Sequence, residues 1–208
     1  MTSPPSHWPA VRTSGRSGFW PVMTLLSIGV AGASLHYLAG AAMVPPPLKA
    51  NFLDHPLAFY VHIACGTTAL LVGPWQFLAS LRARAKGLHR LMGAVYIAAC
   101  GLGGLAGMVI APGSNGGPVA AAGFFSLAVL WIWTTGNALA AILRRDVAAH
   151  QRWMRRSFAL TLAGVTLRLY LPAAFIDYAR FAEVYAVIDW ACWVPNLIVA
   201  EAINRRSA

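Results

Sequence analysis

The sequence predicts an all-α integral membrane protein, a bundle of six transmembrane helices with both termini in the cytoplasm. Three observations carry that prediction. Of the 208 residues, 58% are apolar and only 11% charged, against about 25% charged in an ordinary soluble domain. The apolar residues gather into six long runs of the length a bilayer core requires. The basic residues alternate between connections: 13 of the 16 lysines and arginines fall before the first run, after the second, fourth and sixth runs, or at their borders. That alternation is the positive-inside pattern. It accounts for the net charge of +10 without nucleic acid, which is excluded as a partner.

Residues 1–18, rich in Ser and Pro with Arg12 and Arg16, read as a cytoplasmic tail. Residues 19–208 read as one membrane domain. The first helix is expected near 19–43; its uncharged run is too long for a secretory signal core of about 7–15 residues. Pro45, Pro46 and Pro47 then predict an exposed loop, because a proline run cannot continue a helix. The second helix is expected near 56–81, and a basic connection follows. The third is expected near 91–111, where Gly103 and Gly107 form a GxxxG that permits close helix packing in lipid. After the turn PGSNGGP, the fourth helix is expected near 119–143. A second basic connection precedes the fifth, near 157–176, and the sixth is expected near 184–200.

Cys65, Cys100 and Cys192 lie inside apolar runs with no paired spacing and read as packing residues. Trp20, Trp75, Trp153 and Trp190 read as interfacial belt residues. No HExxH, CxxC, GxSxG or P-loop pattern occurs.

The segment from His150 to Pro172 carries the clearest sign of a site. On a helical period His150, Ser157, Thr161, Gly164, Arg168 and Pro172 share one side. An arginine there, about 12 Å inside the far end of the fifth helix, must face protein, water or a bound group rather than hydrocarbon. The remaining polar residues sort into two layers. His36, His62, Arg168 and Asp189 belong to an outer layer. His89 and His150, among Arg90, Arg152 and Arg155, belong to an inner one.

Three histidines have a glycine four residues on: His36 with Gly40, His62 with Gly66, and His89 with Gly93. A histidine beside a bare helix surface suits axial ligation of a flat macrocycle, and nearby arginines suit its propionates. On that reading His89 and His150 are the inner haem-iron ligands and His36 and His62 an outer pair. Plainer readings stand beside it. His89 and His150 could hold anionic lipid headgroups together with Arg90, Arg152 and Arg155. His36 could be a packing residue, and Arg168 with Asp189 a buried ion pair.

Three stretches, VHIACGTTALLVGPWQF from Val61, LHRLMGAVY from Leu88 and HQRWMRRSFALTLAGVTLRLYLP from His150, resemble a bacterial family of multi-pass membrane proteins, domain of unknown function 2306. The resemblance covers roughly residues 55–176. It implies a shared fold and an unassigned function and names no substrate; the expected location is the cell membrane, the inner one if the chain is bacterial. A looser, architectural likeness is to the six-helix, two-haem cytochromes b, whose four histidines on helices 2 to 5 pair 2 with 4 and 3 with 5. Here His62, His89 and His150 fall on or beside helices 2, 3 and 5, while helix 4 offers only Thr134, Thr135 and Asn137.

Two functions follow as expectations. One is transmembrane electron transfer through haem b, with a quinone or redox partner. The other is a non-enzymatic binding or assembly protein that holds lipid headgroups or a small molecule in a polar cavity between helices.

Overall fold

The computed structural model describes residues 19–206. Six apolar segments long enough to cross a membrane run Trp20–Ala39, Pro56–Phe77, Lys86–Gly113, Gly117–Leu143, Val147–Ala174 and Tyr178–Arg205. No strand occurs among the described residues. The protein is an all-helical membrane bundle.

The helices differ from the expected runs mainly at their ends. α1 (Phe19–Ser34) tightens into a 3-10 turn, Leu35–Ala39, and stops at Gly40, whose φ of 113° lies where side chains are disfavoured. The expected proline loop is instead α2 (Pro46–Asp54), with prolines in its first turn. A proline there loses no helical hydrogen bond, because the first N–H groups have no partner in any helix. The proline run therefore starts a helix. α2 folds back on the bundle: Phe52 is buried, with its ring 5.3 Å from Phe59 and 5.4 Å from Tyr60.

α3 (Pro56–Val72) ends where Pro74 opens a 3-10 turn, and the short α4 (Ala79–Arg84) follows. A Cβ at Gly73 would lie 2.4 Å from the Phe158 ring, so the aromatic packs directly on bare backbone. α5 (Lys86–Ile110) begins five residues earlier than its apolar run and takes the basic residues into its first turns. α6 (Gly117–Leu143) is the longest helix. The fifth span also starts early, as α7 (Val147–Thr161), capped by the Asp146 side chain accepting from Ala149 N–H at 2.8 Å. It continues after a joint at Leu162 as α8 (Ala163–Ala174). The sixth span is α9 (Phe181–Ala191) and α10 (Val194–Arg205), divided where Pro195 opens α10 without an N–H to give.

α5 lies between α3 and α6, and α6 packs in turn on α7. Glycines make that closeness possible. A Cβ at Gly103 would stand 3.0 Å from Cys65 on α3, and one at Gly104 would stand 2.5 Å from Ile132 on α6. With no hydrophobic force between helices in lipid, such close packing supplies much of their association. The core gathers Tyr96, Trp131, Met154, Phe158, Leu160 and Trp193.

Candidate functional site

The end of the bundle holding the two basic connections is here the basic end. Toward the opposite end, α3, α5, α6, α8 and α9 leave a cavity of about 260 Å³ roofed by α2. Leu70, Phe124, Leu127, Leu167 and Leu171 give it apolar walls, and His62, Arg168, Tyr185, Tyr37, Asn51 and Ser114 contribute polar edges.

His62 donates from Nδ1 to the Gly103 carbonyl at 2.9 Å, which leaves Nε2 as the unprotonated nitrogen of the neutral ring. Its ring lies over Gly107 of the neighbouring helix, where a Cβ would come within 3.3 Å of Nδ1. The glycine that serves this histidine is therefore on α5. Gly66, four residues on along α3, lines the cavity with open space beside it.

Arg168 projects into the cavity from α8. Its guanidinium donates one hydrogen bond, 2.9 Å to the Gly164 carbonyl one turn back. Among the described residues it forms no ion pair with Asp189; the two ion pairs resolved are Arg156 with Glu201 and Arg180 with Glu183. The expected Arg168–Asp189 pair is thus replaced by two separate polar groups. Asp189 on α9 is fully buried; its Oδ2 accepts from the Ser114 hydroxyl at 3.2 Å, and Oδ1 finds no partner among the described residues. Asn51 donates to the Ile110 carbonyl at 2.9 Å, while its own Oδ1 is left unsatisfied.

His36 does not join His62. It is exposed on the 3-10 turn after α1, its ring tilted 42° against Tyr37 with centroids 3.8 Å apart, and it is bonded to the Ala33 carbonyl. Tyr37, its neighbour, lines the cavity instead.

Beneath the cavity the bundle is closed by a buried chain of hydroxyls. Tyr96 Oη bonds Thr161 at 2.7 Å and Ser157 at 3.0 Å, Ser157 bonds Thr135 at 2.6 Å, and the Trp131 indole N–H donates to Thr161 at 2.9 Å. Thr161 and Trp131 also face the cavity. The stripe on the fifth span accordingly turns inward along most of its length: Ser157 and Thr161 belong to this network, and Gly164 and Arg168 to the cavity, while Pro172 is exposed.

At the basic end His89 and His150 come within electrostatic reach of one another, with Arg82 and Arg90 close to His89. His150 donates from Nδ1 to the Ala138 carbonyl at 2.9 Å, and His89 Nδ1 is buried with no partner among the described residues. Arg152, Arg155 and Arg156 tie α7 to α10. Arg156 makes two bonds to Glu201 and stands 4.4 Å over the Trp153 ring. Arg155 donates to Asn204 Oδ1 at 2.9 Å, and Asn204 donates to the Arg152 carbonyl at 3.3 Å.

Tyr96, Tyr185 and Ser114 were not singled out by sequence. Tyr96 carried a signal nonetheless: a phenol in the middle of a glycine-rich apolar helix must find a buried partner.

The fold and these polar layers define a multi-pass, membrane-embedded helical protein. Residues 59–204 match the family described as predicted membrane protein (DUF2306), and the chain belongs to that family. No curated protein and no solved structure matches it.

Proposed function

We propose that the protein binds a small amphipathic molecule with an anionic head group in the cavity between α3, α5, α6, α8 and α9. The observation that carries this reading is Arg168: a cation in a membrane span, held among the described residues by one carbonyl of its own helix, with no carboxylate among them paired to it, and opening on a cavity. A guanidinium has five N–H donors, so most of its capacity faces the cavity. Charge in hydrocarbon is too costly to keep without use. His62 is positioned beside it as a second polar contact, and the leucine and phenylalanine walls suit an alkyl or aromatic body. The volume lies just below the usual range of ligand pockets, about 300–1,000 Å³, which favours a short-chain or single-ring ligand.

Octanesulfonate, anionic and of matching size, is the probe. It should raise the thermal unfolding midpoint of the detergent-purified protein, as any ligand specific to the folded state does, and octanol should not. In Arg168→Gln the sulfonate effect should disappear. An equal shift in the variant, or with octanol, would overturn the reading.

A second reading rests on the juxtaposition of His89 and His150, with His150 Nε2 left free by its Ala138 contact. Such a carbonyl-oriented imidazole is the usual form of a metal-bound histidine, and the pair suits axial ligation of haem b. An absorption spectrum of protein from haem-replete cells, before and after dithionite, decides it. A Soret band lost in both His89→Ala and His150→Ala supports haem, and a colourless folded preparation excludes it.

A further inference from the structure

The polar groups bordering the cavity differ in kind. Arg168 only donates. The phenols of Tyr37 and Tyr185, within electrostatic reach of it, add O–H groups to the same space. Tyr185 is held there by its ring, stacked on Phe181 with centroids 5.1 Å apart and meeting Phe124 edge-on at 5.9 Å.

His62 is the opposite case. Its Nδ1 gives its hydrogen to the Gly103 carbonyl at 2.9 Å, because a carbonyl can only accept, and the neutral ring keeps a lone pair on Nε2. α5 holds the other edge of the ring: a Cβ at Gly107 would lie 3.3 Å from Nδ1 and 3.5 Å from Cε1. Nε2 has no hydrogen bond among the described residues. His62 lines the cavity and lies within electrostatic reach of Arg168. A fixed cation and a neutral acceptor therefore border one space.

An occupant displaces water from that space, and an anion with oxygens alone answers Arg168 but offers Nε2 nothing. An acceptor desolvated without a partner weakens binding. We infer that the ligand carries a hydroxyl or N–H group close to its anionic head, so that His62 Nε2 accepts from the ligand while Arg168 donates to it. The class is an amphipathic hydroxy acid, or its amide-bearing equivalent, rather than a plain alkyl anion. This rests on the reading of the cavity as an anion site. Asn51 is another cavity-lining side chain with an acceptor left over, but its Oδ1 is buried against Gly113. Leucine and phenylalanine walls give a ligand hydroxyl no acceptor. Its effect on binding therefore changes sign with its neighbour, favourable against Nε2 and unfavourable against hydrocarbon.

Calorimetry on the detergent-purified protein reads that sign, with octanesulfonate and its derivatives bearing a hydroxyl on the second, third or fourth carbon. At least one alcohol should bind about 3- to 10-fold tighter than octanesulfonate. Its methyl ether, which keeps the oxygen and loses the hydrogen, should bind no tighter than octanesulfonate. In His62→Phe the alcohol should bind no tighter than octanesulfonate, and in Asn51→Ala it should keep its advantage. The inference is overturned if no alcohol binds tighter, if the ether matches the alcohol, or if the advantage survives in His62→Phe or is lost in Asn51→Ala. The ether comparison needs only the wild type, so it decides even where His62→Phe fails to fold. Octanesulfonate that does not bind the wild type, or binds Arg168→Gln undiminished, removes the anion site itself.

Discussion

The two ends of this bundle treat charge in opposite ways. At the basic end, α7 and α10 are joined by groups that answer one another: Arg156 with Glu201, Arg155 with Asn204, Asn204 with the Arg152 carbonyl. At the cavity end, Arg168 has a carbonyl, Asp189 has a hydroxyl, and neither has the other. Both ends use the same residue types. The paired set fixes one helix against another; the separated set stores unsatisfied capacity beside an open volume.

The sharpest way to break that contrast is to exchange the consequences of substitution. Arg168→Gln should lower octanesulfonate affinity by about 10- to 100-fold, corresponding to the loss of a charged hydrogen bond of about 1.5–3 kcal/mol, while thermal stability without ligand stays near that of the wild type. Calorimetry beside an unfolding scan reads both. Between the two ends lies the hydroxyl chain, and Tyr96→Phe should cost about 1–3 kcal/mol by leaving Ser157 and Thr161 short of a partner in a dry interior. Unfolding in graded SDS measures that loss; a neutral result would mean the two remaining hydroxyls satisfy each other.

The carboxylates give the smallest but most direct comparison. Glu201→Ala should destabilise by no more than about 1 kcal/mol, since the Arg156–Glu201 pair is 21% and 37% exposed and partly screened. It should leave sulfonate binding unchanged. Asp189→Asn should be neutral or stabilising, by up to about 1 kcal/mol, because it removes a buried charge that no partner answers. A large loss in Asp189→Asn would show that its oxygen is a structural acceptor and that the two ends differ less than they appear in outline.

The six spans were legible because a bilayer imposes one requirement on every helix, and apolar length displays it. Ends were harder. α5 and α7 start within basic connections, because Lys, Arg and His residues sit readily in a helix that reaches the headgroup layer. The proline run was misread because proline stops one helix and starts the next, and sequence alone does not say which. Facing was not legible. Of the readings open for Arg168 and Asp189, the ion pair does not form among the described residues, and His36 is exposed while His62 turns to the cavity. The histidine–glycine spacing pointed to Gly66, whereas the glycine under His62 is Gly107 on another helix. Contacts between helices leave no period in a single sequence.

The roof of the cavity has a consequence for time rather than for affinity. α2 does not cross the membrane. Near the cavity mouth it is anchored by the Asn51 amide, bonded to the Ile110 carbonyl and seated against Gly113, and by the buried ring of Phe52. Lifting it breaks few contacts and leaves the six spans in place. Asn51→Ala should therefore quicken sulfonate arrival and departure by a common factor, leaving their ratio nearly unchanged, as stopped-flow traces would show. How tightly the cavity holds its occupant and how often it exchanges it are then set by different helices.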